Sequence, residues 1–281
     1  MKYLDLKINS EQPRTISVAI TDKWNELSCN QILYIGLLWQ SWQLMLKNGA
    51  SMQVAKARLL VSLINDKTPK EIKEILNLLS QIDFEESDVN PLALTDFIFE
   101  SNKLTKNNFP IIKIGWFKKL YGPEDRLANI TINEFSFALN FFNSYNKTGN
   151  EEFLNNFVAC LYRPTYKGWE VTGDRRKPFN PFTIEQHLAT VKNMEFAYKQ
   201  ATYLLFAGSM DSLSNEFKRV FSKADSEKKT TGTKQTFLDV ILKISGGKFG
   251  NFDQTKDQNA YLVLKELQNL LEESENNKGK K

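Results

Sequence analysis

Histidine and cysteine are nearly absent from this sequence. Its 281 residues include one histidine, His187, and two cysteines, Cys29 and Cys160. Each cysteine lies in an apolar helical pattern and no CxxC motif occurs, which favours buried free thiols. The chain therefore lacks the ligands of an ordinary zinc site and the members of a Ser-His-Asp triad or a Cys-His pair. We expect a non-enzymatic protein that uses no metal and no cofactor.

The sequence also lacks a long hydrophobic run and a strong net charge. The longest apolar run, residues 32–46, contains Gly36, Gln40, Ser41 and Gln43. It is too short for a membrane span, which takes about 20 residues. No signal peptide is recognisable at the N-terminus. These features predict a cytoplasmic protein that does not contact a membrane. The net charge of +4 is too small to indicate nucleic-acid binding by itself.

Helix signals fill most of the chain. Hydrophobic residues make up 41% and charged residues 25% of it, as in an ordinary globular protein. Capping-box patterns begin at Ser28, Thr68, Thr131 and Thr183, each before an apolar run. The patterns predict helices near 29–47, 51–64, 69–80, 132–147, 151–162, 184–207, 210–222, 235–245 and 256–274.

Strand signals are confined to the first half of the chain. Alternating apolar residues on both sides of a turn at residues 10–13 predict an N-terminal β-hairpin. Residues 97–99 and 111–114 could be short strands that extend this hairpin into a small sheet. The predicted fold is mainly α, a multi-helix domain with a small N-terminal β-hairpin, and an α+β fold is the alternative. Two lobes are predicted, 1–120 and 121–281, and residues 103–108 are an alternative boundary between them.

One basic and aromatic segment, residues 162–182, separates two predicted helices; we call it the arm. Three of the seven arginines lie in it, and Pro164, Pro178 and Pro181 restrict its backbone. Its aromatic side chains interleave with basic ones. The candidate partner-binding residues are Arg163, Tyr166, Lys167, Trp169, Arg175, Arg176, Lys177 and Phe179.

Three interpretations of the arm stay open. Its aromatic residues could fasten a structured crossover to the body of the protein. Tyr, Trp and Arg are also the residues that dominate protein interfaces. Aromatic rings among basic residues equally suit single-stranded nucleic acid, through stacking and phosphate contacts. Residues 83–100 carry six acidic and no basic side chains. This acidic segment could pair with the arm within one molecule or between copies, or both segments could be solvated loops.

A family resemblance rests on three stretches of the second half. They are Leu127-Ala-Asn-Ile-Thr-Ile-Asn-Glu-Phe, the run from Tyr145 to Pro164, and Gly173-Asp-Arg-Arg-Lys-Pro-Phe-Asn. They resemble uncharacterised proteins of tailed phages and prophages, some of which lie among tail genes and are regarded as tail-assembly or virion proteins. The C-terminal runs Gly247-Lys-Phe-Gly and Tyr261-Leu-Val-Leu-Lys-Glu-Leu fit the same resemblance, which thus covers roughly residues 127–270 and supplies no catalytic residues.

The sequence thus leads to a functional hypothesis. The protein would be a non-enzymatic interaction or assembly factor, a tail-assembly or virion-associated protein of a phage or prophage. The arm and an apolar helix face would dock on other virion or tail proteins or on copies of the same chain, in the host cytoplasm or the virion. The acidic segment would set the register. The alternative is a nucleic-acid-binding protein that uses residues 162–179. An enzyme would instead require a pocket with several converging carboxylates.

Overall fold

A computed structural model describes residues 2–8, 14–47, 51–64, 68–79, 90–222, 245 and 248–278. The chain divides into two compact units, residues 1–104 and 105–281. The sequence placed this boundary at 120/121. Residues 105–120 instead group with the second unit, because they contain most of a β-hairpin that pairs with that unit through Tyr121 and Arg163.

The first unit begins with the predicted hairpin. Strand β1 (Lys2–Ile8) pairs antiparallel with strand β2 (Arg14–Ile20), and Leu4 lies opposite Val18. Both of these side chains are buried, as is Ile20. One face of the ribbon therefore contributes to the core, as strict alternation of apolar and polar residues requires.

Four α-helices of the first unit fall within the described residues. They are α1 (Cys29–Lys47), α2 (Met52–Ser62), α3 (Pro69–Leu79) and α4 (Asp96–Glu100). The capping boxes at the starts of α1 and α3 are confirmed, since Gln31 and Glu71 accept hydrogen bonds from the backbone N–H groups of Ser28 and Thr68. Residues 97–99, a candidate strand, lie within α4 instead. A 3₁₀ turn (Pro91–Thr95) leads directly into that helix.

The second unit begins with a separate hairpin. Strand β3 (Ile111–Ile114) pairs with strand β4 (Lys118–Tyr121) and with no strand of the first hairpin. The strand predicted at 111–114 is therefore confirmed, but its predicted partner is wrong. The helices that follow within the described residues are α5 (Ile132–Thr148), α6 (Glu151–Leu161), α7 (Trp169–Thr172), α8 (Glu185–Lys192), α9 (Phe196–Glu216), α10 (Phe252–Lys256) and α11 (Ala260–Lys278). The fold is mainly α, as predicted.

An aromatic cluster joins α5, α6 and α9. The ring of Phe206 lies 5.1 Å from those of Phe142 and Phe157, and 6.2 Å from that of Phe135. Phe135, Phe157 and Phe206 are fully buried. Aromatic pairs at these distances add to the stability that burial provides. This core fixes helices α5 and α6 in place, and residues of these two helices contact the arm.

The predicted helices around residues 184–222 differ from those observed. A turn at residues 193–195 separates α8 from α9, where Glu195 is extended and Met194 is buried. The predicted gap at 208–209 does not exist, because Gly208 and Ser209 are buried inside the continuous helix α9. Most of the helix predicted at 235–245 lies outside the described residues. Among the described helices, none has both the length and the apolar character needed to cross a membrane.

Candidate functional site

The base of the arm is closed by backbone hydrogen bonds. Arg163 and Tyr121 exchange two of them, with N–O distances of 2.8 and 3.0 Å. Thr165 faces Arg176 in an antiparallel bridge, and the N–H group of Lys177 donates to the carbonyl of Pro164 at 2.8 Å. The two limbs of the arm therefore run side by side, and residues 166–175 form its tip.

A buried ionic network lies beneath this base. Glu134, in the first turn of α5, accepts hydrogen bonds from Arg163 at 3.2 Å and from Arg176 at 2.5 Å. Asp174 accepts from Arg176 at 2.8 Å. The side chains of Glu134 and Arg176 are 1% exposed and that of Arg163 is 4% exposed. Two positive and two negative charges thus balance, which is the condition under which burial of charge is tolerated.

Backbone carbonyls satisfy the remaining guanidinium donors. Arg176 donates to the carbonyls of Asn129 and Leu161, and Arg163 donates to those of Lys177 and Cys160. Burial alone would lower the pKa of Arg176, but the nearby carboxylates raise it on balance. Arg176 therefore stays charged, and the two arginines together tie the limbs of the arm to α5 and α6.

This burial corrects the sequence interpretation of two candidate residues. Arg163 and Arg176 were expected to contact a partner, but they lie inside the protein. Both guanidinium groups form ion pairs with Glu134, and neither is exposed enough to contact an external ligand. They position the arm instead.

The tip of the arm is organised by its own contacts. Helix α7 lies between Gly168 and Gly173, which have φ values of +93° and +76°. The hydroxyl groups of Tyr166 and Thr172 are 2.7 Å apart. The guanidinium of Arg175 lies 4.5 Å from the centre of the Trp169 ring, a cation–π geometry. These contacts give the loop a defined shape.

The tip also carries the exposed members of the predicted site. In the tip, Lys167 and Arg175 are exposed, and Tyr166 and Trp169 are partly exposed, whereas Lys177 is exposed at the base of the arm. Val171, which was not among the predicted residues, is 90% exposed. An apolar side chain at the end of a structured loop is available for contact with another molecule.

The end of the arm forms one wall of an apolar groove. Phe179 packs against Phe137 of α5 with ring centres 5.6 Å apart, and Arg163 lies 5.7 Å from the Phe179 ring. The groove has a volume of about 420 Å³, and Phe182 and Phe252 are among its other lining residues. Phe182 is 92% exposed. Of the predicted residues, Phe179 therefore belongs to this groove and not to the tip.

The predicted capping box at Thr183 is absent. Asn180 accepts a hydrogen bond from the N–H group of Phe182, and the Thr183 hydroxyl donates back to the Asn180 carbonyl. Helix α8 begins only at Glu185. Asn180 caps a 3₁₀ turn (Pro181–Thr183) that precedes α8, and no side chain caps α8 itself.

His187 and Cys160, two side chains of low exposure near the arm, lie in surroundings that are typical of structural residues. His187 of α8 donates from Nε2 to the Ala159 carbonyl at 2.8 Å, and burial lowers the pKa of its imidazole. Burial also raises the pKa of the Cys160 thiol, and the Glu134 carboxylate adds to this effect. Within the described residues, no group of three or more His, Cys, Asp or Glu side chains could hold a metal ion.

The acidic segment does not provide the partners of the buried arginines. Glu134 and Asp174 do so instead. Residues 83–89 lie outside the described ranges. Asp96 pairs with Lys56 at 2.5 Å inside the first unit. The predicted pairing between this segment and the arm stays a prediction for the remaining acidic residues.

Sequence reasoning missed two features. Glu134 fits the capping-box pattern with Thr131, and its N–H group does donate to the Thr131 hydroxyl at 3.1 Å. Its carboxylate, however, turns to the arginines, which no local pattern indicates. Trp116 and Phe117, in the turn between β3 and β4, are 95% and 94% exposed. The signal was Gly115 between two short β-like stretches, which predicts a turn with the aromatic pair at its end.

Comparisons with known proteins leave the site to be interpreted from its geometry. No family model matches the chain, and no curated protein or solved structure matches it either.

Proposed function

We propose that this protein is a non-enzymatic interaction protein that docks on a protein partner through the tip of the arm. The observation that carries the proposal is the combination of a buried ionic network at the arm's base and an exposed, structured tip. Two arginines and Glu134 are buried where they hold the loop. Val171 and the Trp169–Arg175 pair are presented at its end.

Preorganisation is the physical reason for this interpretation. A loop that is already ordered loses little conformational entropy when it binds. Tryptophan and arginine are enriched among the residues that contribute most to protein–protein affinity. The guanidinium of Arg175 already lies over the Trp169 ring before a partner binds. The partner therefore meets a preformed surface that carries a positive charge.

The groove beside the arm supplies a second contact of the same kind. Phe179, Phe182, Phe137 and Phe252 line it, and all belong to the second unit. An aliphatic or aromatic side chain of the partner protein would fill this groove while the tip contacts the partner's surface. The apolar helix face predicted from the sequence corresponds here to the part of α5 around Phe137.

The biological setting we propose is phage or prophage tail assembly or the virion itself. Its support is the resemblance of the second half of the chain to such proteins. The partners are then other virion or tail proteins or further copies of this chain. Tail or capsid genes beside the gene for this protein would support the setting, and a neighbourhood of unrelated metabolic genes would argue against it.

The docking test uses three single variants: Trp169→Ala, Val171→Asp and Leu262→Asp. Leu262 is 56% exposed on α11 and serves as the matched control. Tagged proteins are produced in the native host, cross-linked and purified, and the partner found with the wild-type protein is then purified for direct titration. Loss of a hot-spot side chain costs at least 2 kcal/mol, which weakens binding by about 30-fold.

The expected result is weaker binding for both arm variants and unchanged binding for Leu262→Asp. If all three variants bind the purified partner with wild-type affinity, the docking role of the arm is wrong. Light scattering after size exclusion identifies the case in which the partner is another copy of the chain. The arm variants would then shift that protein toward the monomer.

Nucleic-acid binding by the arm remains the alternative function. Lys167, Arg175 and Lys177 are exposed near Trp169, which favours it. Burial of Arg163 and Arg176 removes two of the five basic residues on which the idea depended. A complex held by phosphate contacts weakens steeply as salt is added, whereas an apolar protein contact does not.

A further inference from the structure

The turn of the second hairpin is the most exposed apolar feature among the described residues. Trp116 and Phe117 are 95% and 94% exposed, whereas Ile112 and Leu120 of the flanking strands are almost fully buried. Gly115, with φ of +61°, begins the turn. The hairpin is thus fastened to the second unit through its strands and projects two rings into solvent.

Three lysines lie within three residues of these rings along the chain. Lys113, Lys118 and Lys119 are exposed, and the segment 105–121 contains no Asp or Glu. Lys113 and Lys119 lie directly opposite each other in the antiparallel pairing. Like charges in this arrangement destabilise a hairpin. In the described part of the chain no ion pair involves any of these three lysines. An anionic ligand would therefore reduce the electrostatic repulsion between Lys113 and Lys119.

The arm carries further positive charge in the same unit. Tyr121, at the end of β4, pairs antiparallel with Arg163, at the beginning of the arm. Lys167 and Arg175, both exposed, belong to the tip of the arm.

We propose that the turn of this hairpin is a binding site for single-stranded nucleic acid. Bases would stack on Trp116 and Phe117, and Lys113, Lys118 and Lys119 would contact the neighbouring phosphates. Stacking on exposed rings combined with backbone contacts is how sequence-tolerant single-strand binding works. The site is distinct from the arm and goes beyond the proposed docking on protein.

An anionic membrane fits the same residues less well. Binding of a protein segment to a membrane surface scales with the apolar area that it buries among the lipids. Here only two adjacent rings project, with Lys118 directly after them and Lys113 three residues before the first of them. Stacking requires only the ring faces, and both rings are available.

The probe is a fluorescein-labelled oligothymidylate of about 20 nucleotides, longer than typical single-strand sites of roughly 4 to 16 nucleotides. Fluorescence anisotropy is measured at several salt concentrations with the full-length protein. The variants are Trp116→Ala with Phe117→Ala, and Lys113, Lys118 and Lys119→Gln together. The matched controls are Tyr3→Ala, whose ring is 72% exposed in the first unit, and Lys147, Lys218 and Lys265→Gln together.

Wild-type protein is expected to bind the oligothymidylate at low salt. The aromatic variant should bind at least about 30-fold more weakly, because it removes two stacking rings and each stacked base contributes about 1 to 3 kcal/mol. The lysine variant should reduce the slope of log affinity against log salt by about 2, since each phosphate contact contributes roughly 0.7. Both control variants should match the wild-type protein. Trp116→Phe should retain most of the binding, because phenylalanine also stacks.

Three results would overturn the proposal. The first is no binding by the wild-type protein at low salt. The second is equal binding by the aromatic variant and the wild-type protein. The third is binding to vesicles with anionic phosphatidylserine but not to the oligothymidylate, which would assign the turn to a membrane. Circular dichroism of each variant shows that it is folded, and substitutions at such exposed positions are expected to leave the fold intact.

Discussion

A single carboxylate, Glu134, determines where the arm lies. It accepts hydrogen bonds from Arg163 on one limb and Arg176 on the other, and all three side chains are buried. Buried charges cost several kcal/mol of desolvation each, which mutual attraction and good hydrogen bonds must offset. The network is stable only when all three side chains are present, because each charge offsets the desolvation cost of the others.

Glu134→Gln is therefore expected to destabilise the protein by about 3–5 kcal/mol, the usual cost of leaving a buried charge without its partner. Urea unfolding followed by circular dichroism measures the loss, and urea is preferred because it does not screen charge. Glu216→Gln is the matched control, since it breaks the exposed pair between Glu216 and Arg126. Exposed pairs contribute about 1 kcal/mol or less. Equal losses for the two variants would contradict the importance of the buried network.

At the scale of elements, the second hairpin and helix α6 meet at one tight contact. The ring of Tyr162, just after α6, is fully buried, and its hydroxyl donates to Asn107 or to the Phe109 carbonyl. A Cβ atom at Gly122, just after β4, would lie 2.4 Å from that ring. The absence of a side chain at Gly122 thus allows the hairpin to pack on Tyr162, the first residue of the arm.

Gly122→Ala is expected to cost about 1–3 kcal/mol, the range seen when a packed core is overfilled. The matched experiment repeats the substitution in a Tyr162→Leu background, where the ring is gone. Contacting residues give non-additive effects, so Gly122→Ala should cost clearly less there. Thermal unfolding of the four proteins of this cycle provides the measurement. The same cost in both backgrounds would show that the ring is not the cause.

Local capping residues determine where a helix starts when only one candidate cap lies near that start. The starts of α1, α3, α5 and α6 agree with the sequence prediction, and Asn150 caps α6 as Thr131 caps α5. The prediction at Thr183 failed because Asn180 caps the turn just before it. Local patterns thus find a helix start but do not choose between two neighbouring caps.

At the scale of the whole molecule, the second unit contains its own core and its own charge network. The aromatic cluster of α5, α6 and α9, the Glu134 network and the second hairpin all belong to residues 105–281. A domain of about 150 residues buries roughly 70% of the surface that its unfolded chain exposes, which is enough for independent stability.

A fragment of residues 105–281 is therefore expected to fold by itself. Far-ultraviolet circular dichroism should show a helical protein with a cooperative thermal transition. A fragment of residues 121–281, cut at the boundary predicted from sequence, should be less stable. It lacks Asn107 and Phe109, which accept from the Tyr162 hydroxyl, and most of the hairpin. If the shorter fragment melts at the same temperature or higher, the boundary at 104/105 has no energetic meaning.

The sequence by itself determined the features that depend on neighbouring residues. These are the mainly α fold, the N-terminal hairpin, most helix starts and the position of the arm. Each depends on side-chain period, caps or prolines within a few residues. Tertiary structure alone decided which arm residues are inside. Arg163 and Arg176 look like surface residues in sequence, but Glu134, 29 and 42 residues away, brings both into the interior. A buried charge needs a partner in space, and spacing along the chain does not show which residue that is.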